Sequence, residues 1–437
     1  MQTNSRGHWS GAIGFVLASM GSAVGLGNVW RFPYIAGQYG GAAFILLYIG
    51  CVLAIGIPIM LAEFVIGRKT QRNAVGSFRT LRPGSLWVVT GWLGVISGFV
   101  ILSYYAVVGG WVLHYVYLSL SNSFAGQSPE QITALFVDLN ANHGLQIFWL
   151  LIFMVLSIVI VSRGVSSGIE VGNKIMMPLL FALLLGLVFY AVQTDGAAAG
   201  LEFLLQPQWH KLSPTAVLEA LGQALFSLSL GMGTMVTYGS YLSRQTNLER
   251  SAFFVGIGDT LVAVLAGLVI FPLVFSFGLE PSAGPGLIFR TLPIAFAQLP
   301  AGYLVALAFF ILLSFAALTS AMSLLEVVCA YFVDERGWSQ ERASWTMGAV
   351  IFVLGIPSAL GEQFLGVMDG LATNYLLPVG ALLVAVFTGW VLTAAERKQQ
   401  LSAGEMSKFR FAAWSFLIRF LSPVAVLLIF LHQLRLF

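Results

Sequence analysis

The segment Gly21-Ser22-Ala23-Val24-Gly25-Leu26-Gly27-Asn28 sets three glycines at spacings of four and two beside a serine and an asparagine. It lies inside an apolar run that begins near Gly11. Glycine in a helix interior costs about 1 kcal/mol relative to alanine, so this stretch is poor material for an unbroken helix. In hydrocarbon an unpaired carbonyl costs several kcal/mol, and open backbone survives there only when buried in protein or lining a cavity. The chemistry on offer is ion and zwitterion binding, with carbonyl oxygens for a cation and freed amides for an anion.

A second run repeats the anomaly. Phe226-Ser227-Leu228-Ser229-Leu230-Gly231-Met232-Gly233-Thr234 is small and hydroxylated where a plain membrane helix carries leucines. Asp259 lies in another apolar stretch, where a carboxylate costs ~2.5–3.5 kcal/mol and marks a functional position by default. Ala316-Ala317-Leu318-Thr319-Ser320 puts two adjacent hydroxyls on a further apolar segment. Each feature has a plainer reading. Glycine and serine let membrane helices pack closely, serine and threonine bond their own backbone, and Asp259 could simply be hydrogen-bonded in a bundle.

The elements that must position these residues follow from composition. The chain has 437 residues, of which 58% are hydrophobic and 9% charged, against about 25% charged in an average soluble domain. That implies a multi-pass membrane protein, all α-helical. With about 20 apolar residues needed per span, eleven spans are expected, at 11–37, 41–67, 87–120, 145–161, 167–192, 215–241, 250–279, 301–334, 343–359, 365–395 and 408–435. The first run has no small-residue cleavage site after it and reads as a retained helix. Lys and Arg concentrate in alternate connections, from Arg6 through Arg68, Lys69 and Arg72 to Lys408 and Arg410. This bias predicts a cytoplasmic N-terminus. The net charge of +3 is dispersed, so no nucleic-acid partner is expected, and Cys51 and Cys329 sit in apolar segments unsuited to a disulfide or metal framework.

The two interrupted spans are the first and the sixth. They lead two five-helix sets, 11–192 and 215–395, with 408–435 as an extra helix in one domain, 1–437. Five is odd, so the second set runs with inverted topology. Matched interrupted spans in two halves point to a transporter site at the repeat interface.

Gly21 to Pro33 (GSAVGLGNVWRFP), Gly40 to Phe44 (GGAAF), Glu63 to Arg68 (EFVIGR) and Gly284 to Phe289 (GPGLIF) resemble the neurotransmitter:sodium symporter family, in particular its bacterial amino-acid transporters with the leucine-transporter fold. The resemblance implies two sodium ions. One site takes the Ala23 carbonyl, Asn28, Ser227 and Asp259, completed by the substrate's carboxylate. The other takes the carbonyls of Gly21, Val24 and Ala316 with the hydroxyls of Thr319 and Ser320.

It also implies a pocket of Ala23, Gly25, Leu26, Gly27, Ile101, Tyr105, Phe226, Ser227, Ser229, Met232, Ser320 and Leu324. The carboxylate meets the Leu26 and Gly27 amides and Tyr105. The amine meets carbonyls of Ala23, Phe226 and Ser229. Family members that carry biogenic amines have an aspartate at the position of Gly25, so glycine implies an intact amino acid. Met232 replaces the phenylalanine of the narrower leucine-type pocket, and methionine adapts its shape readily. A hydrophobic side chain, aliphatic or aromatic, is the expectation.

Chloride-dependent members resemble an Asn at Asp259, with an anion nearby. Here Asp259 stands with Tyr48, Gln223 and Ser227, while Ala263 replaces a chloride-binding serine, which implies chloride independence. Arg31 and Asp369, with Gln223 and Phe226, resemble the outer gate. Arg6 and Asp334, with Trp9 and Tyr241, resemble the inner one. Gly168 and Pro178 resemble a fifth-span element that unwinds. Glu63 is expected to be structural, and Glu326 has no assigned partner. No catalytic residues are expected, since no Ser/His or HExxH arrangement occurs. A channel, a non-transporting amino-acid sensor and a symporter of another small zwitterion are the alternatives. The expected location is a bacterial cytoplasmic membrane.

Overall fold

The computed structural model describes residues 7–279, 286–401 and 406–433. They are helical throughout, with no strand among the described residues beyond an isolated bridge between Gly41 and Pro207. Nine helices are long and apolar enough to cross a membrane: Ala42–Thr70, Val88–Leu120, His143–Ser162, Val165–Ala191, Leu248–Ser276, Gly302–Arg336, Gln340–Leu360, Glu362–Val391 and Lys408–Gln433. A tenth is the bent pair Ala12–Ala23 and Leu26–Gln38, whose halves meet at 64°. The expected sixth span is two short helices, Pro214–Ser227 and Thr234–Gly239, separated by six non-helical residues. Neither half reaches spanning length, so the count observed among the described residues is nine to ten, not the eleven expected.

Local chemistry explains where the spans start. Side chains of Asn142, Ser213, Asn247, Ser339 and Ser407 each accept a backbone N–H three residues on, at 3.0–3.2 Å. These caps satisfy amides left orphaned at a helix N-terminus.

The third span (Val88–Leu120) and the eighth (Gly302–Arg336) are the most buried, at 78% and 72% of their apolar windows, against 33% for the fifth (Val165–Ala191) and the last (Lys408–Gln433). The long pair therefore forms an internal post, and the others keep wide faces for lipid. Close approach needs small residues: a Cβ on Gly98 would lie 3.2 Å from the Leu324 carbonyl. The two broken spans are enclosed by this shell. Helix Ala12–Ala23 packs on the seventh and eighth spans, and both halves of the sixth pack on the second. Leu26, Gly27, Asn28 and Val29 are all buried, which is the condition for open backbone at membrane depth.

Candidate binding site at the helix breaks

The first span opens because successive rungs of its hydrogen-bond ladder are diverted. In a continuous helix the Gly25, Leu26 and Asn28 amides would bond the carbonyls of Gly21, Ser22 and Val24. Instead Gly25 N–H donates to Asn28 Oδ1 at 2.9 Å, Leu26 N–H to the Tyr105 hydroxyl at 3.4 Å, and Asn28 N–H to Gly25 O at 3.2 Å. Three carbonyls are thereby released at one level. The sixth span opens differently. Ser229, Gly231 and Gly233 all adopt positive φ, and the Gly231 amide leaves the helix to donate to Glu63 Oε1 at 2.8 Å. Ser229 is the residue strained by this conformation. Its hydroxyl is held by a 2.8 Å bond to the released Ser22 carbonyl, so each break stabilises the other. Glu63 is structural, as expected: it caps the opened sixth span.

Asn28 joins three spans. Its Nδ2 donates to Ser227 Oγ at 3.0 Å and to Asp259 Oδ1 at 2.7 Å. The Ser227 hydroxyl lies 2.8 and 2.9 Å from the two carboxylate oxygens, and Tyr48 donates to Oδ2 at 3.1 Å. Asp259 is fully buried, with three neutral partners and no cation against it among the described residues. Gln223 does not join this group by a hydrogen bond. It is fully buried, and both ends of its amide are unpartnered among the described residues.

A second set of oxygens converges from the eighth span. Ser320 Oγ lies 3.4, 3.3 and 3.2 Å from the carbonyls of Gly21, Ser22 and Val24. The Thr319 hydroxyl instead donates within its own helix, to Phe315 O at 2.9 Å and Ala316 O at 3.1 Å. Gly21 and Thr319 nevertheless touch, since a Cβ on Gly21 would lie 3.1 Å from Thr319 Cβ. Hard neutral oxygens gathered on a released backbone suit a monovalent cation, and the residues present fit sodium here and at the Asn28–Asp259 cluster.

Between the two sets is a cavity of about 40 Å³ lined by all twelve residues expected for the substrate, together with Ser22, Asn28 and Ser323. Gly25 is extended, at φ −139° and ψ −167°, a conformation open to any residue. Its requirement is space: a Cβ would stand 3.0 Å from Ser320 Oγ and 3.3 Å from the Tyr105 hydroxyl.

Above it opens a vestibule of about 520 Å³, and Leu26, Gly27, Tyr105 and Phe226 line both spaces. Arg31 and Asp369 both line the vestibule, but Arg31 pairs with Glu219 Oε2 at 3.4 Å, with its guanidinium 5.9 Å above the Phe226 ring. No ion pair joins Arg31 to Asp369 among the described residues, whose carboxylate takes the Thr373 hydroxyl at 3.3 Å. In this conformation Arg31 pairs with Glu219, and the expected Arg31–Asp369 contact is not formed among the described residues. At the other end Trp9 is buried, donating from Nε1 to Tyr238 O at 2.9 Å and from its amide to Tyr241 O at 3.3 Å. Tyr241 donates to Glu326 at 2.6 Å, and Gln340 donates to the same carboxylate at 2.7 Å. Asp334 accepts the Asn73 amide at 2.7 Å. Arg6 lies outside the described residues.

The model of the sodium:neurotransmitter symporter family matches residues 6–134 and 131–437. The chain belongs to that family. A sodium-dependent transporter of Bacillus subtilis strain 168 is 41% identical over 97% of this chain and 97% of its own length. One from Haemophilus influenzae is 37% identical over 99% of this chain and all of its own. The crystal structure of MhsT in complex with L-phenylalanine superposes with a TM-score of 0.90 at 44% identity, covering 98% of this chain and all of that one. The protein is a multi-pass membrane symporter of a sodium-coupled family, with the leucine-transporter fold, and not an enzyme.

In this symporter three residues have parts that the sequence alone does not assign. Ser22, within the Gly21–Asn28 segment, bonds Ser323 at 2.8 Å on the pocket floor. Ser323 is an ordinary membrane-helix serine, without a spacing that marks it. Glu219 has a readable signal, an acid eight residues before Ser227 on the first half of a broken span.

Proposed function

We propose that the protein is a sodium-coupled symporter of hydrophobic L-amino acids, aliphatic and aromatic, working by alternating access without chloride. The observation that carries this reading is the geometry around Gly25. A glycine keeps any side chain out of the space between the Tyr105 and Ser320 hydroxyls, which a Cβ would meet at 3.3 and 3.0 Å, and so leaves that space to a substrate carboxylate. A sodium ion held by Ala23, Asn28, Ser227 and Asp259 is under-coordinated until that carboxylate arrives, so ion and substrate bind together. The second ion is held by Gly21, Val24, Ala316, Thr319 and Ser320, the threonine hydroxyl turning from its own helix. Ile101, Phe226, Met232 and Leu324 take the side chain. All are apolar, and the L-phenylalanine in the MhsT complex agrees with such a pocket. The Asp259 carboxyl, with Ala263 one turn away, takes the place of chloride in this reading.

The remaining expectations belong to the same reading. The reciprocal packing of the broken spans on the second and seventh supports two inverted five-helix repeats, 11–192 and 215–395, with an eleventh span at the C-terminal end. Arg31 with Asp369, and Arg6 with Asp334, close the outer and inner gates at other points of the cycle. The N-terminus is cytoplasmic and the membrane is a bacterial cytoplasmic one.

The test is uptake into proteoliposomes of one labelled substrate, L-phenylalanine, against a panel of the twenty amino acids. It is run with sodium or potassium outside and with gluconate replacing chloride. Sodium-driven accumulation, inhibited by leucine, tyrosine and tryptophan and indifferent to chloride, is expected. Binding without accumulation would make the protein a sensor.

A further inference from the structure

The face of the fifth span that meets the first carries two polar side chains one turn apart, Glu170 and Asn173, exposed by only 1% and 0%. Asn173 Nδ2 donates to its own helix, at Ile169 O, 2.8 Å away. A carbonyl there requires a donor, so the orientation of the carboxamide is determined. Its Oδ1 faces helix Ala12–Ala23 and accepts no hydrogen bond among the described residues. A buried acceptor without a partner is uncommon and calls for an explanation. What it faces supplies one: a Cβ on Gly21 would stand 2.0 Å from Oδ1 and 3.1 Å from Thr319 Cβ. Gly21 and Thr319 both belong to the proposed second sodium site.

Glu170 continues the polar line toward the N-terminal end of the first span. One carboxylate oxygen accepts the Ser10 amide at 2.9 Å. The other contacts the Ser10 hydroxyl and the Lys174 ammonium, the latter at 2.8 Å, and Lys174 is 43% exposed. Gly14 faces Glu170 as Gly21 faces Asn173, two helical turns apart on the same side of the first span. Asn173 Oδ1 and the Glu170 carboxylate thus line the glycine face of the first span, from Gly21 toward Ser10 and the half-exposed Lys174.

We propose that Asn173 Oδ1 is a further sodium ligand at the exit side of the second sodium site. An ion leaving the Gly21 and Val24 carbonyls in that direction meets Asn173 as its first protein oxygen. Glu170 is the next, once Ser10 and Lys174 release it. The amide is neutral, so it passes the ion on without trapping it. This rests on the sodium:amino-acid symport proposed above.

The experiment uses the full chain, purified, with binding of labelled L-phenylalanine titrated against sodium chloride at constant ionic strength. Asn173→Leu keeps the shape and removes the oxygen; Asn173→Asp keeps the oxygen and adds charge. Losing or strengthening one ligand contact corresponds to about five-fold in affinity. The expected half-saturating sodium concentration therefore rises about five-fold in the leucine variant and falls by a similar factor in the aspartate variant, whose release of labelled sodium is also slowed. Opposite shifts are a signature that a packing role does not produce. Melting in potassium, where the site is empty of sodium, should be unchanged or raised in Asn173→Leu, while the rise on adding sodium shrinks. Asn173→Ala serves if the leucine variant does not fold. Shifts in the same direction, or below about two-fold in both variants, overturn the assignment and leave the symport reading intact. Wild-type binding that ignores sodium removes both.

Discussion

Asn28 donates to Asp259 Oδ1 at 2.7 Å with one end of its carboxamide and accepts the Gly25 amide at 2.9 Å with the other. A single side chain therefore holds the backbone open and positions the intramembrane carboxylate. Replacing Asn28 by Ala orphans the Gly25 amide and removes a partner from a fully buried acid. Each loss of this kind costs about 1–3 kcal/mol. Asn28→Ala is expected to lower the melting temperature by several degrees and to abolish the stabilisation that sodium gives the wild type, both read from thermal unfolding in detergent.

The proposed role of Asp259 in place of chloride is open to a direct test. Wild-type uptake should change less than two-fold, within about 0.4 kcal/mol, when gluconate replaces chloride. Asp259→Asn keeps the shape and, with its oxygen toward Asn28, that hydrogen bond; its NH2 then faces Tyr48, whose hydroxyl must accept instead of donate, and the negative charge is gone. Its uptake should fall at least about ten-fold in gluconate and recover in part with chloride. Wild-type uptake that requires chloride would refute this assignment of Asp259.

Gly25→Ala tests the space reserved for the substrate carboxylate. The added methyl lies 3.0 Å from Ser320 Oγ and 3.3 Å from the Tyr105 hydroxyl, in a backbone conformation alanine tolerates. The fold should survive, with melting within a few degrees, while L-phenylalanine binding weakens by about ten-fold or more. Equilibrium binding at saturating sodium reads the effect.

Arg31, Glu219 and Asp369 line one vestibule, and the structure pairs Arg31 with Glu219 at 3.4 Å. Both groups are about one-third exposed, so the pair contributes little, on the order of 0–1 kcal/mol. Such a weak pair suits a gate. Glu219→Gln frees Arg31 for Asp369 and should slow release of bound L-phenylalanine by about two- to five-fold with little change in stability. Arg31→Ala should speed it. Dissociation rates after dilution into unlabelled ligand distinguish the two.

Much of this site is legible in the sequence because membrane burial is so expensive. A glycine cluster at Gly21–Gly27, an acid at Asp259 and a hydroxyl pair at Thr319–Ser320 are conspicuous against leucine and valine. The structure brings Asn28, Ser227 and Asp259 together, and gathers every expected pocket residue around one cavity. Other features depend on rotamers and conformational state, which spacing does not encode. Two acids, Glu219 and Asp369, line the vestibule with Arg31, and the structure pairs it with Glu219. Thr319 has local carbonyls available and takes them. The sixth span reads as one segment by hydropathy, while its backbone divides into helices of 14 and 6 residues. Asn173 gave no signal at all, because an asparagine in a membrane helix is ordinarily satisfied locally and its orphaned oxygen exists only in three dimensions.

The central claim is that the break in the first span is a site completed jointly by sodium and a substrate carboxylate. Equilibrium binding of L-phenylalanine and of phenethylamine, its analogue without the carboxylate, measures this most directly, each titrated in sodium and in potassium. Coupling between two ligands is reciprocal and of ~1–3 kcal/mol or more. L-Phenylalanine should therefore bind at least about ten-fold more tightly in sodium, sodium should bind correspondingly more tightly with L-phenylalanine present, and phenethylamine should neither bind nor compete. Equal affinity for L-phenylalanine in the two salts, or phenethylamine competing as well as the amino acid, would contradict the account.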